Sequence, residues 1–211
     1  MMKRYAQETY SKDAIDAIRR MAHMAEYRDG DIFNHIERIR GYAYIIARGY
    51  ALSAQEAEII SYACQLHDIG KVGLPDTIAF KTDNLSPYDW ETMRQHTGIG
   101  SNILKDSPSV VFQAGGVIAL SHHERWDGSG YPQNLKGEDI PVSGRICALA
   151  DVFDALTTSR AYKKEIPVWD AFQLIRESAG KLFDPALVAI FLENADEVVR
   201  VLRNNPQTHN T

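Results

Sequence analysis

The sequence predicts an all-α, single-domain protein, and three features carry that prediction. Apolar residues recur at three- and four-residue spacing, as in Ile32, Ile36, Ile39, Ala43 and Ile46. Helix-start signatures stand before such runs: Ser53 with Glu56 three residues on, and Ser86-Pro87-Tyr88-Asp89, with Ser at N-cap, Pro at N1 and an acid at N3. No period-2 strands stand out, and no internal repeat or low-complexity block is present.

Residues 3–28 carry a loose helical stripe of Tyr5, Tyr10, Ile15, Ile18, Met21, Ala25 and Tyr27. This segment reads either as an ordinary core helix or as a connector from an upstream module, so 1–28 is set apart from a main domain over 29–203. A helix over 30–49 follows, with Gly49 at its end and Asp31 and His35 on one face. The helix that starts at Ser53 is expected to run through Ile59, Ile60 and Ala63 to His67. Gly70, Gly73 and Pro75 mark a loop with turns over 70–86.

The helix from Pro87 carries His96 and fades near Leu104; Gly98 and Gly100 weaken it, a cost that needs a reason such as close packing. Val110 to Leu120 is a short apolar helix that ends at His122-His123. Residues 124–143 are the longest stretch without a helix pattern, and their aromatics point to an ordered, functional loop. Ser143 to Thr158 is an apolar helix containing Asp151 and Asp154; Pro167 opens a helix to about Ser178; Asp184-Pro185 caps a last one to about Arg203. Residues 204–211 read as a frayed polar tail.

The 211 residues are 45% hydrophobic, enough for one sizeable core. A net charge of -5 argues against duplex nucleic acid or an anionic membrane as the main partner, but leaves room for a local cationic pocket. No apolar run approaches the roughly 20 residues of a membrane span. The N-terminus has no apolar signal region. Cys64 and Cys147 lie in apolar surroundings that suit small core residues in a reducing compartment, so the expected location is cytoplasmic.

The chemistry centres on Leu66-His67-Asp68-Ile69-Gly70-Lys71. Adjacent His and Asp cannot share a helix face, since successive side chains are offset by about 100°. They can meet one metal where a helix ends and the chain turns. His35, His96, His122 and His123 are further candidates. A lone His such as His96 is more often a satisfied helix residue than a ligand, but His122-His123 is a rarer pairing that a shared metal would explain. Asp151 lies in the apolar run Ile146–Phe153, where a carboxylate must be paired or bind a cation. The bland alternative is a buried ion pair with Arg145 or Arg160. Asp154, one turn on, is placed to orient a ligand. His35, His67, Asp68 and Asp151 can form one site; His96, His122 and His123 can form a second, with Asp68 free to bridge. Imidazole and carboxylate ligands suit iron or manganese, and the lack of cysteine pairs disfavours structural zinc.

These residues carry a resemblance. His67-Asp68-Ile69-Gly70-Lys71, the run from His122 through Trp126-Asp127-Gly128-Ser129-Gly130-Tyr131-Pro132, Gly137-Glu138-Asp139-Ile140-Pro141, Asp151-Val152-Phe153-Asp154-Ala155-Leu156 and Phe183-Asp184-Pro185 resemble the HD-GYP phosphodiesterases of the wider HD superfamily, in order from about residue 26 to residue 192. The resemblance implies a compact helical domain of HD type that hydrolyses cyclic di-GMP to pGpG, GMP or both by a metal-bridging hydroxide. It implies metal ligands at His35, His67, Asp68, His96, His122, His123 and Asp151, and catalytic roles for Lys71 and Asp68. Substrate phosphate is expected on Arg160 and Lys163 of Arg160-Ala161-Tyr162-Lys163, where relatives usually carry Pro at the Ala161 position. Tyr131 and Trp126 are candidates for the cleft wall, with loop anchoring as the plain alternative for Trp126.

Three-metal relatives carry Glu at the position of Asp31, one methylene longer. Asp31 therefore either joins a third ion or leaves two, and two divalent ions are expected, iron or manganese favoured. Relatives also imply an upstream sensory or receiver domain and a homodimer as possible partners. The competing readings are a cyclic di-GMP receptor or docking domain of low turnover, and a general HD-type nucleotide phosphohydrolase.

Overall fold

A computed structural model describes residues 12–25, 27, 31–79, 81, 84–159 and 164–207. Ten α-helices are found among them: α1 (Lys12–Ala25), α2 (Ile32–Gly49), α3 (Ala54–Cys64), α4 (Asp76–Ala79), α5 (Pro87–Leu104), α6 (Val110–Ser121), α7 (Val142–Thr157), α8 (Val168–Glu177), α9 (Pro185–Glu193) and α10 (Ala195–Asn204). Short 3₁₀ turns span Ile69–Gly73 and Gly137–Asp139. The described residues contain no strand, only one isolated bridge between Ala179 and Phe183.

The helix starts follow their caps. Ser53 and Glu56 form a reciprocal capping box on α3, and Ser86 and Asp89 form one on α5. The apolar face of α2 is fully buried at Ile36, Ile39, Tyr42 and Ile46. α2 packs on α3 and α7, and α5 packs on α6, so the ligand-bearing helices share one core. Tyr42, Phe153 and Phe191 meet edge to face at its centre, with ring centroids 4.9–6.4 Å apart.

Several expectations are refined. Ile18, Ala22 and Ala25 of α1 lie in the same core as α2, and Arg19 pairs with Glu37 at 2.8 Å, the packing of an ordinary core helix. α3 stops at Cys64, and Leu66 and His67 bond back only three residues, to Ala63 and Cys64. That tightening turns the chain into the 3₁₀ segment and on to the short helix α4, where the Gly and Pro residues had suggested only loop. The last helix breaks at Asn194, whose side-chain amide donates to the Ile190 carbonyl and competes with the continuing helix. The described part of the tail is tied down: Asn205 O accepts from Arg38 at 3.0 Å, and Gln207 Oε1 accepts from the Ser159 N–H at 2.8 Å.

Two close approaches position the site. A Cβ on Gly70 would lie 1.9 Å from the His96 carbonyl oxygen and 2.5 Å from Gly100 N. Only glycine there lets the turn after Asp68 rest directly on α5, which accounts for Gly100 inside a helix. Gly98, by contrast, faces open space. The 124–143 loop is ordered around buried Glu124, whose two carboxylate oxygens accept from Gln133 N at 2.7 Å and Leu135 N at 3.1 Å. Trp126 N and Asp127 N donate to Leu182 O and Lys181 O, which anchors the loop's other side.

Candidate metal centre

The end of α3, the middle of α5, the end of α6 and the middle of α7 converge with the start of α2. They bring together two donor groups, Asp68 with His96, His122 and His123, and His35 with His67 and Asp151; within each group the ligand atoms lie within 4.8 Å of one another. Asp68 stands between them. Its Oδ1 is 3.2 Å from His96 Nε2 and 3.7 Å from His122 Nε2, and its Oδ2 is 3.3 Å from His67 Nε2. Asp151 Oδ1 is 3.9 Å from His67 Nε2.

The outer nitrogens fix which way each imidazole can act. His67 Nδ1 is 2.9 Å from Cys64 O, His96 Nδ1 is 2.6 Å from Met93 O, and His122 Nδ1 is 3.1 Å from both Ile118 O and Ala119 O. A carbonyl only accepts, so each Nδ1 carries the hydrogen and each neutral ring turns its Nε2 lone pair inward. His35 does the same through Asp154, whose Oδ2 is 2.8 Å from His35 Nδ1. This leaves His96 Nε2 and His122 Nε2 facing each other at 3.5 Å with no proton between them. His67 Nε2 and Asp68 Oδ1 are buried and have no hydrogen-bond partner. Inward lone pairs and an unsatisfied carboxylate oxygen, all out of water, are a donor set that a cation satisfies. The residues fit divalent metal.

The electrostatics agree. Burial raises the Asp68 carboxyl, but Lys71 and His67 outweigh it and hold the group well below the usual carboxylate range. Burial disfavours a charged His67, yet Asp68 and Asp151 lift it well above the usual imidazole value. The carboxylates that draw positive charge toward His67 are the same ones that would help hold a cation. Burial lowers His122 and His123, so both favour the neutral, ligating form.

The other candidates fall as follows. Lys71 Nζ lies 2.7 Å from Asp68 Oδ2, directly beside the ligand oxygens. Tyr131 stacks on His123 with ring centroids 4.7 Å apart. Asp31 stands outside both donor groups; its Oδ2 accepts from Arg38 Nη2 at 2.7 Å. Arg160 and Lys163 lie outside the described residues. Arg145 pairs with Asp184 at 2.5 Å and lies over the Trp126 ring, so the ion-pair alternative for Asp151 does not hold with Arg145, and Trp126 serves to anchor its loop. The sequence reading passed over Arg38, which is 1% exposed and bonds Asp154 at 2.6 Å as well as Asp31. Its signal was available: Arg38 sits between Ile32, Ile36 and Ile39 on the face of α2 that carries Asp31 and His35.

Comparison with known proteins places the chain in a family. Over 180 residues the chain is 46% identical to a cyclic di-GMP phosphodiesterase of Thermotoga maritima, a match covering 85% of this chain and 49% of that protein. Over 189 residues it is 41% identical to a 3'3'-cGAMP-specific phosphodiesterase of Vibrio cholerae, covering 88% of this chain and 36% of that one. The chain thus spans about half the length of these relatives, or less. A crystal structure of a cyclic GMP-AMP-specific phosphodiesterase from V. cholerae superposes with a TM-score of 0.67 at 24% identity, over 92% of this chain and 51% of that one. This likeness supports the fold. The profile of the HD domain matches residues 19–187, a span that holds every donor of both groups. With its adjacent His67 and Asp68 at the meeting point of those donors, the chain belongs to the HD domain family.

Proposed function

We propose that this domain is a phosphodiesterase that hydrolyses cyclic di-GMP to pGpG, GMP or both. One observation carries the reading: Asp68 lies between two clusters of inward-facing imidazoles, with its own Oδ1 unsatisfied. The names and identities of the relatives support the substrate class, and the relatives include both cyclic di-GMP and 3'3'-cGAMP phosphodiesterases.

His35, His67 and Asp151 would hold one ion and His96, His122 and His123 the other, with Asp68 shared. Two is the favoured number, because Arg38 already engages the Asp31 carboxylate that a third ion would need. Mixed imidazole and carboxylate donors favour iron or manganese. Bound ions at such a site polarise phosphoryl oxygens and bring water to reactive pKa near neutrality.

The chain's own groups do the rest. Lys71, 2.7 Å from Asp68 Oδ2, sets its positive charge beside the place where charge develops on phosphate. Tyr131 closes the wall beside His123. Arg160 and Lys163 are proposed to take the second phosphate, Arg by its planar fork and Lys as a point charge. Free, buried Cys64 and Cys147 support a cytoplasmic setting, and no described helix is long and apolar enough to cross a membrane. A relative from Xanthomonas campestris named as a response regulator supports linkage to an upstream receiver or sensory domain.

Asp68→Ala tests the proposal. Turnover of cyclic di-GMP should be abolished and bound metal should fall. Normal turnover with full metal would end it. Cyclic di-GMP bound tightly by the metal-loaded wild type without product would favour the receptor reading instead.

A further inference from the structure

We propose that Arg94, seated on Tyr131, is the base-recognition element of the site and selects guanine. The inference rests on the cyclic dinucleotide reading above. Arg94 is exposed on α5, two residues before the ligand His96. Its guanidinium lies over the Tyr131 ring, 4.9 Å from the centroid. Tyr131 in turn stacks on His123 at 25° between ring planes. Tyr131 thus contacts both a donor imidazole and a guanidinium. Among the described residues no carboxylate pairs with Arg94.

Lys71 and Arg94 have different work. Lys71 is committed to Asp68 and to charge near the reacting phosphate. Arg94 lies over Tyr131, which stacks on the donor His123, so it stands beside the centre without being one of its donors. A guanidinium held by its face on an aromatic ring keeps its N–H edge free. Guanine offers that edge two adjacent acceptors, O6 and N7. Adenine offers N7 beside an amino donor, which opposes Arg. Trp90, four residues earlier on α5 and 48% exposed, is on the same helix face as Arg94, and an exposed indole there is a surface on which a base can stack.

The test compares GMP and AMP, titrated calorimetrically into the manganese-loaded full chain. Phosphate, ribose and metal contributions are common to both ligands, so their difference reports the base. Wild type should bind GMP about tenfold or more tightly than AMP, the size of one bidentate contact. Arg94→Ala should bring GMP down to the level of AMP, with metal content and melting temperature unchanged. Arg94→Lys, which keeps the charge but not the fork, should behave like Arg94→Ala. No GMP preference in wild type, a preference that survives Arg94→Ala, or recovery by Arg94→Lys would each overturn the assignment. So would an equal loss for both nucleotides, which would make Arg94 a phosphate contact. Turnover is measured separately. A GMP preference that depends on Arg94 in a chain that fails to hydrolyse cyclic di-GMP would leave this subsite standing and remove the phosphodiesterase reading. Hydrolysis with a base preference indifferent to Arg94 would do the reverse.

Discussion

His35 Nδ1 lies 2.8 Å from Asp154 Oδ2, a hydrogen bond between residues 119 positions apart. Asp154 is fully buried and is gripped again by Arg38 Nε at 2.6 Å, so the ring that turns Nε2 toward the metal donors is held by an ion pair. Asp154→Ala should therefore lower metal affinity about 10- to 100-fold, through a residue that need not touch metal. It should also destabilise the fold by roughly 3–5 kcal/mol, because Arg38 loses its main buried partner. Metal analysis after dialysis and chemical denaturation check the two effects. Full metal content in the variant would mean that His35 is oriented by something else.

Gly70→Ala is expected to be more damaging than an ordinary glycine substitution. The added methyl would fall 1.9 Å from a backbone oxygen of α5, which cannot rotate away. The turn carrying Asp68 and Lys71 must then withdraw from His96. Turnover should fall at least about 100-fold, as misplacement of about 1 Å can cost. Gly98→Ala, with open space at the new methyl, should keep its activity and gain helix stability, up to about 1 kcal/mol. Equal activity in the two variants would refute the close-packing account.

An acid-side stability change should come from Asp89. Lys81 and the Ser86 cap bonds hold its pKa down to about 2. The unfolded value is about 3.9. The folded chain thus binds that proton less readily, so the stabilisation is present above pH 4 and is lost as pH falls from about 4 toward 2. In Asp89→Asn, the slope of stability against pH over that window should be shallower than in wild type. An unchanged slope would show that Asp89 does not contribute to it.

Much of the fold and site was legible because its signals are local. The capping boxes at Ser53 and Ser86 need only four residues to be read. The donor set was legible because His67-Asp68, His122-His123 and Asp151 are chemically out of place in apolar surroundings. Pairings over long separations were not. Arg145–Asp184 and the Arg38 grip on Asp154 join groups whose partners look like ordinary surface charges until the chain has folded. The break at Asn194 was missed for another reason: the apolar spacing continues through it, and the bond from its side-chain amide to Ile190 O forms only in the folded chain.

The pair of ions around Asp68 is the central claim, and anomalous scattering from crystals grown with manganese or iron tests it most directly. Two peaks are expected, one among His35, His67 and Asp151 and one among His96, His122 and His123, with the Asp68 carboxylate touching both. A density map with no peak among these side chains, or with ions bound only elsewhere on the surface, would contradict the account.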